Sequence, residues 1–304
     1  MKYYIAIPTY NGGELWHTTV ENIKKNVPEN TFVHIIDSGS KDDTAVIAKN
    51  NGFDVVSIQS SDFNHGGTRN QAINQYIDNY DVVIFLTQDA IPEPGFIDNI
   101  MSVFQDDEEV VCAYGRQLPH SDASPLAQHA RLFNYPINGY IACKTSIQSM
   151  GLKTVFMSNS FSAYRLSVFK KLGGFPSNTI LCEDMYFTAK AVLAGYKVAY
   201  VPEAKVHHSH NYSPIEEFKR YFDIGVFHTD EPWIRHSFGG AGGEGKRFII
   251  SELKYLIKNS PSWIPVSFLN NMMKIIGFKM GKNYKLLPKR LIKNFSMHKR
   301  FWNF

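Results

Sequence analysis

A chain of 304 residues is long enough to bury a sizeable core, as one large domain or two small ones. With 44% hydrophobic and 20% charged residues it is not a disordered chain, and its three scattered cysteines, Cys112, Cys143 and Cys182, lack the spacing of a zinc site or a disulfide framework. The net charge of +4 is unevenly divided: residues 241–304 carry 13 Lys/Arg against 2 Asp/Glu, whereas residues 1–240 carry 19 against 26.

In chain order, the opening apolar run is broken by Pro8 and is too short for a signal peptide or a membrane span. The runs KYYIAI, TFVHIID, DVVSI, DVVIFLT and VVCAYG, rich in Val, Ile, Phe and Tyr, predict five strands. Helical patterns fill the gaps at Glu14–Asn26, Asp43–Asn51, Gly67–Tyr76 and Gly95–Phe104, the last entered through Pro92 and Pro94. This alternation predicts an α/β fold with a doubly wound, mostly parallel sheet. Residues 121–150 show no clear period and read as a loop with a short helix. Beyond them come a helix at Asp184–Ala194, a strand at Lys197–Tyr200, a turn at His207–His210 and a helix at Pro214–Gly225. A glycine cluster, Gly239, Gly240, Gly242, Gly243 and Gly245, then leads into a basic, helix-prone remainder.

Ligands of doubly wound sheets sit outside the carboxyl ends of the strands, so the residues there are the ones to inspect. They are Pro8-Thr9-Tyr10-Asn11, then Asp37-Ser38-Gly39-Ser40, then His65-Gly66-Gly67-Thr68-Arg69, and Thr87-Gln88-Asp89. A carboxylate such as Asp37 can accept the imide N–H of a pyrimidine base, Gly66-Gly67 can let backbone approach a ligand, and Arg69 can meet phosphate. Taken singly, a strand-end Asp more often caps a helix or closes a turn; four such sites on one edge favour a ligand.

The blocks IAIPTYNGG, IIDSGSKDDT, FNHGGTRNQAI, FLTQDAIPEPGFI and CEDMYFTAKAVLAGYKVAYVPEAKVHHSHNYS, in this order, resemble glycosyltransferase family 2 over roughly residues 1–250. HGGTRN, TQDA and HSHNYS are most similar to its bacterial rhamnosyltransferase branch. The resemblance implies a GT-A fold and an inverting transfer of L-rhamnose from dTDP-β-L-rhamnose onto a saccharide acceptor, lipid-linked, in surface polysaccharide synthesis. A UDP-sugar donor and a non-catalytic carbohydrate- or membrane-binding homologue are the alternatives. The resemblance makes Pro8, Thr9, Asn11, Asp37, Gly67, Arg69, Gln88 and Asp89 nucleotide-sugar contacts. It makes Asp184 the base, paired with Glu183. Asp89 stands alone where the family has two metal-binding Asp, Thr87 taking the first place. With one imidazole from His207, His208 or His210, His207 being favoured, it is expected to hold Mg²⁺ or Mn²⁺, since one carboxylate plus diphosphate oxygens can bind such an ion. A base is needed because a sugar hydroxyl attacks poorly until a carboxylate takes its proton.

Gly240-x-x-x-x-Gly245-Lys246 nearly spells a phosphate loop, but Arg247 replaces the required Ser/Thr and no strand precedes it, so an NTPase is rejected. A sugar-phosphate nucleotidyltransferase would need a Gly-rich loop where Pro-Thr-Tyr-Asn stands. No nucleic-acid motif accompanies the basic tail. Its cations and interleaved aromatics fit either an anionic membrane surface or a helical pair docked on the core. The expected organisation is a GT-A catalytic domain over residues 1–240, with a nucleotide-sugar-binding half at 1–120 and an acceptor side at 121–240. A basic helical region follows at 241–304. The expected location is cytoplasmic, peripheral at the inner face of the membrane.

Overall fold

The computed structural model describes residues 1–240 and 243–302; Gly242 of the glycine cluster and the last two residues of the expected tail lie outside them. The first half alternates β1 (Tyr3–Thr9), α1 (Gly13–Asn26), β2 (Val33–Asp37), α2 (Thr44–Asn50), β3 (Asp54–Ser57), α3 (His65–Asn74) and β4 (Val82–Leu86). There follow β5 (Ile91–Pro92), α4 (Phe96–Asp106), β6 (Val110–Leu118), α5 (Pro125–Asn134), β7 (Tyr140–Ala142), α6 (Ile147–Met150), β8 (Phe161–Arg165) and α7 (Leu166–Lys171). The chain continues through α8 (Glu183–Leu193), β9 (Lys197–His207), α9 (Pro214–Asp230), α10 (Pro232–Phe238), α11 (Glu244–Asn259), α12 (Ile264–Lys282) and α13 (Lys289–Phe295).

The strands form one sheet in the order β3-β2-β1-β4-β8-β6-β9-β5, with β7 also on β9. Pairing is parallel from β3 to β4 and between β6 and β9, so the expected wound half is present. β8 runs antiparallel between β4 and β6, an insertion that joins the two parallel parts into one mixed sheet. Both faces are covered. Alternate residues of β1 serve two cores: Tyr4 and Ala6 pack towards α3, α8 and α9, and Ile5 and Ile7 towards α1 and α4. Burial on both faces is why these strands read as continuous apolar runs.

Two departures from the sequence reading shape the site. β8 was not expected, because FSAYR is short and half polar. β9 runs past Tyr200 to His207, through Pro202; a shift of register on β6, from Gly115 opposite Val201 to Arg116 opposite Lys205, absorbs the interruption.

The basic tail is docked on the body. α12 lies along α9 at backbone distance: a Cβ on Gly281 would meet the Phe222 carbonyl at 2.0 Å, and one on Gly277 the Phe218 carbonyl at 2.3 Å. Ile292 and Trp302, beyond α12, are buried in the same core as α8 and α9. Among the described residues no helix is long and apolar enough to cross a membrane.

Candidate active site

The carboxyl ends of β1, β2 and β4 meet as the sequence predicts, but their polar groups mostly hold one another. The Asp37 carboxylate accepts from the Thr9 hydroxyl (3.1 Å), the Ser40 hydroxyl (2.5 Å) and the backbone N–H groups of Gly39 (3.1 Å) and Ser40 (2.9 Å). Four donors fill the acceptor sites of a carboxylate. Through these bonds Asp37 organises the loop at the carboxyl ends of β1 and β2. Asn11, at φ +47°, accepts the Lys41 N–H at 2.8 Å, and its own N–H donates to Ser40 at 2.9 Å. Gln88 clasps the Tyr10 backbone, accepting its N–H at 2.7 Å and donating to its carbonyl at 3.1 Å. Pro8 lies half-buried in β1 beside them.

The glycine pair serves packing. A Cβ on Gly66 would sit 1.9 Å from the Pro176 carbonyl, and the Gly67 N–H is held by the Asn64 cap of α3 at 2.7 Å. The pair thus forms a helix start, with Gly66 pressed against the Phe175–Pro176 loop and Gly67 under the Asn64 cap. Arg69 points inward: it is 6% exposed, its guanidinium 3.1 Å from a Glu183 carboxylate oxygen and 3.0 Å from the His65 carbonyl.

The acidic pair occupies the first turn of α8, where the helix dipole favours negative charge. Cys182, just before it, is left-handed at φ +59°, a conformation that non-glycine residues adopt mainly where surrounding structure enforces it. The two carboxylates then diverge. Burial raises the Glu183 value, but Arg69, His65 and the Asn159 amide (2.8 Å) outweigh it and hold Glu183 below its ordinary range. Among the described residues Asp184 receives only backbone N–H groups, from Asn159 at 3.1 Å and Met185 at 2.7 Å. Burial, then the adjacent Glu183 charge, push it up to about 7. One carboxylate locked ionised beside another poised near neutrality is the arrangement from which general bases are made. Asn159 orients both; its own carbonyl is fixed by Ser162 (2.9 Å) and Tyr164 (2.7 Å) of β8.

Asp89 has a different escort from the one expected. Its carboxylate lies 3.4 Å from the His208 Nε2 and 3.7 Å from the His210 Nε2, and the three groups sit within 4.8 Å of one another. Burial raises the Asp89 value, but the His208 and His210 imidazoles more than offset this and hold it far below the usual carboxylate range. His207, the expected ligand, is turned away: its Nδ1 meets the Pro119 carbonyl at 2.9 Å and its Nε2 meets Glu93 at 3.1 Å. Alternation along an extended chain sends neighbouring side chains to opposite faces, so His207 and His208 cannot both reach Asp89. The donor set fits a divalent cation. The Gln117 amide donates to Ser158 at 2.8 Å, and its carbonyl accepts from Arg131 at 2.8 Å and from the His208 Nδ1–H at 2.9 Å. With its Nδ1 anchored on the Gln117 carbonyl, His208 is fixed with its Nε2 facing Asp89, the outer support typical of metal-binding histidines. Two imidazoles beside one carboxylate suit Mn²⁺ better than Mg²⁺.

One cavity of about 490 Å³ is lined by Arg69, Asp184, His208, His210, Arg131 and Arg220, so the acidic pair and the histidine group open onto a common space. Its size is that of a small-molecule site. Sequence reasoning missed Asn159 and Gln117 as site residues, and among His207, His208 and His210 it favoured the one that turns away. The HHSH run signalled the two histidines without showing which of its three imidazoles turn inward, and nothing local marks Asn159 or Gln117.

The model of glycosyl transferase family 2 matches residues 4–173. The O-antigen chain rhamnosyltransferase RfbN of Salmonella typhimurium is 52% identical over all of this chain and 96% of its own length. WbaN of Salmonella anatum, another O-antigen chain rhamnosyltransferase, is 50% identical over 99% of this chain and 96% of its own. Among solved structures, the mannosyltransferase PcManGT of Pyrobaculum calidifontis, in complex with GDP-Man and Mn²⁺, superposes with a TM-score of 0.57 at 15% identity, covering 99% of this chain and 84% of that one. S. aureus TarS residues 1–349, in complex with UDP-GlcNAc, gives 0.54 at 16%, covering 98% and 84%. These two likenesses establish the fold, which is GT-A.

Proposed function

The chain belongs to glycosyl transferase family 2, and from that membership we propose that it moves L-rhamnose from dTDP-β-L-rhamnose to a saccharide of a growing O-antigen-type chain, with inversion at the anomeric carbon. That it is a glycosyltransferase follows from the family; the sugar is taken from the names of two full-length relatives at 50–52% identity. The observation that carries the mechanism is the division of labour in the acidic pair. Glu183, neutralised by Arg69, is fixed in its ionised form, and Asp184, raised to about 7 and open to the cavity, is the group free to change its protonation. In this reading Asp184 takes the proton from the acceptor hydroxyl as it attacks, and a single base with no protein nucleophile gives inversion. Arg131 and Arg220 supply positive charge on the same cavity for the departing diphosphate. Asp89, His208 and His210 would hold Mn²⁺, which supplies Lewis-acid stabilisation of that diphosphate when bound.

Residues 1–240 carry this machinery in the proposal, and the α11–α12 hairpin faces anionic lipid. Phe268 (74% exposed), Ile257 (60%) and Ile275 (51%) stand out from these helices among the tail's cations. An exposed apolar face set among Lys and Arg is the pattern of an interfacial helix, and it would bring the cavity to a lipid-linked acceptor. The test of the function is to incubate the purified protein with a panel of dTDP-, UDP- and GDP-sugars and Mn²⁺ and to measure release of nucleoside diphosphate. dTDP-rhamnose should be turned over fastest; preference for a GDP-sugar would overturn the donor assignment.

A further inference from the structure

A second cavity, of about 450 Å³, adjoins the first; His65, Met297 and His298 line both. Its inner wall is the carboxyl edge of β1 and β2, represented by Tyr10 and Ser38, with Phe63 and Thr179 beside them. Its outer wall is the segment after α13, residues 297–301, which crosses back over the strand ends from the far end of the chain. This strap is firmly seated. The fully buried Asp223 of α9 accepts the backbone N–H groups of Met297 (2.9 Å) and His298 (3.1 Å). The His298 ring meets His65 at 3.2 Å, and the Arg300 guanidinium lies over the Tyr10 ring at 5.3 Å while donating to the Ser60 carbonyl at 3.1 Å.

Two side chains in this cavity have no reason to be polar within the protein alone. Ser38 is 2% exposed and Thr179 is 5% exposed, both line the cavity, and neither hydroxyl has a hydrogen-bond partner among the described residues. An unpartnered buried hydroxyl costs roughly 1–3 kcal/mol, so its retention calls for a ligand that completes it. The remaining lining is mainly aromatic and cationic, Tyr10, Phe63, Phe301, Lys299 and Arg300, beside Asn64 and Ile180. A flat, apolar body with a polar edge, joined to an anionic group that reaches the Asp184 cavity past His65, satisfies all of these at once.

We propose that residues 297–301 are the outer wall of the donor's nucleoside site, with the Ser38 and Thr179 hydroxyls meeting the polar edge of the base and Arg300 closing the site over Tyr10. The inference rests on the glycosyltransferase reading and adds to it donor-binding residues from the opposite end of the chain. It explains how a base is held although every acceptor site of Asp37 is taken. It also gives the end of the basic tail a role in binding, apart from the lipid-facing helices.

Thr179→Val and Arg300→Ala are to be compared with wild type in the full chain, by calorimetric binding of thymidine diphosphate with Mn²⁺, thermal melting, and steady-state KM and kcat for dTDP-rhamnose. Thr179→Val removes an unpartnered hydroxyl at constant shape, so the melting temperature should hold or rise while the Kd for thymidine diphosphate rises at least about fivefold. Arg300→Ala should raise Kd and donor KM about tenfold with kcat within about twofold, and Arg300→Lys should recover only part of the loss, because it lacks the planar fork. Unchanged or tighter binding in Thr179→Val and Arg300→Ala, with or without a lower melting temperature, would make the strap a structural brace or an obstruction and overturn the inference. Wild type that binds no nucleoside diphosphate would instead overturn the functional reading beneath it.

Discussion

Replacing Asp184 with Asn separates the base from the scaffold. The amide keeps the shape and can accept one of the two N–H groups, from Asn159 or Met185, that the carboxylate now holds at 3.1 and 2.7 Å. The other would face an NH₂ group, a loss of about 1 kcal/mol. Against this, Asn removes a charge that burial and Glu183 both disfavour. That relief depends on pH. With a folded-state value raised from 3.8 to about 7, the wild type loses stability as pH rises between those values, so the melting temperature of Asp184→Asn relative to wild type should climb from about pH 4 to 7 and level off above it. Catalysis moves the other way. Wild-type Asp184 is only about one-tenth ionised at pH 6, so kcat/KM should fall about tenfold per pH unit below 7 and level off above it. Asp184→Asn should lose about 10²–10⁴-fold in kcat, bind donor as wild type does, and lack that acidic limb. Initial rates of nucleoside diphosphate release with acceptor present, from pH 5.5 to 8.5, are the assay. Turnover within fivefold of wild type, or an unchanged pH profile, would refute the assignment.

His210→Ala should weaken Mn²⁺ binding at least about tenfold by calorimetry, whereas His207→Ala should leave it unchanged, because His207 faces Glu93 and Pro119. Gly281→Ala drives a methyl to 2.0 Å from the Phe222 carbonyl, which neither helix backbone can yield cheaply; a loss of about 3 kcal/mol in chemical denaturation is expected, and an unaltered midpoint would contradict the close contact of α9 with α12. Co-sedimentation should be strong with anionic liposomes and weak with neutral ones, and 0.5 M salt should release most of the protein; equal recovery on both would leave the exposed apolar face of α11–α12 without a lipid role.

The wound half of the fold was legible because its strands are buried on both faces and α1 and α4 carry clear apolar periods. The helix read at Glu14–Asn26 is α1, one residue longer, and the one read at Asp184–Ala194 is α8, shifted by one. β8 was not legible: its polar positions, Ser162 and Tyr164, are there to hold Asn159 and carry no strand signal of their own. At the site, residue type was readable and direction was not. Asp37 and Arg69 are where the motifs put them, but neighbouring loop donors hold Asp37, and Arg69, on the cavity wall, is engaged by Glu183 across the fold. His207 and His208 are adjacent in sequence, and only the length of β9 decides which of them faces Asp89. The strap was invisible for a simpler reason: no local pattern says that residues 297–301 return to the edge of β1, nearly 290 positions earlier.

The central claim is that one carboxylate, Asp184, activates the acceptor for direct displacement at the sugar carbon. The most direct measurement is the anomeric configuration of the newly formed linkage, by NMR of product made from dTDP-β-L-rhamnose and a saccharide acceptor. The account predicts an α-linked rhamnose, inverted relative to the donor; a β-linkage would require a second displacement and would contradict it.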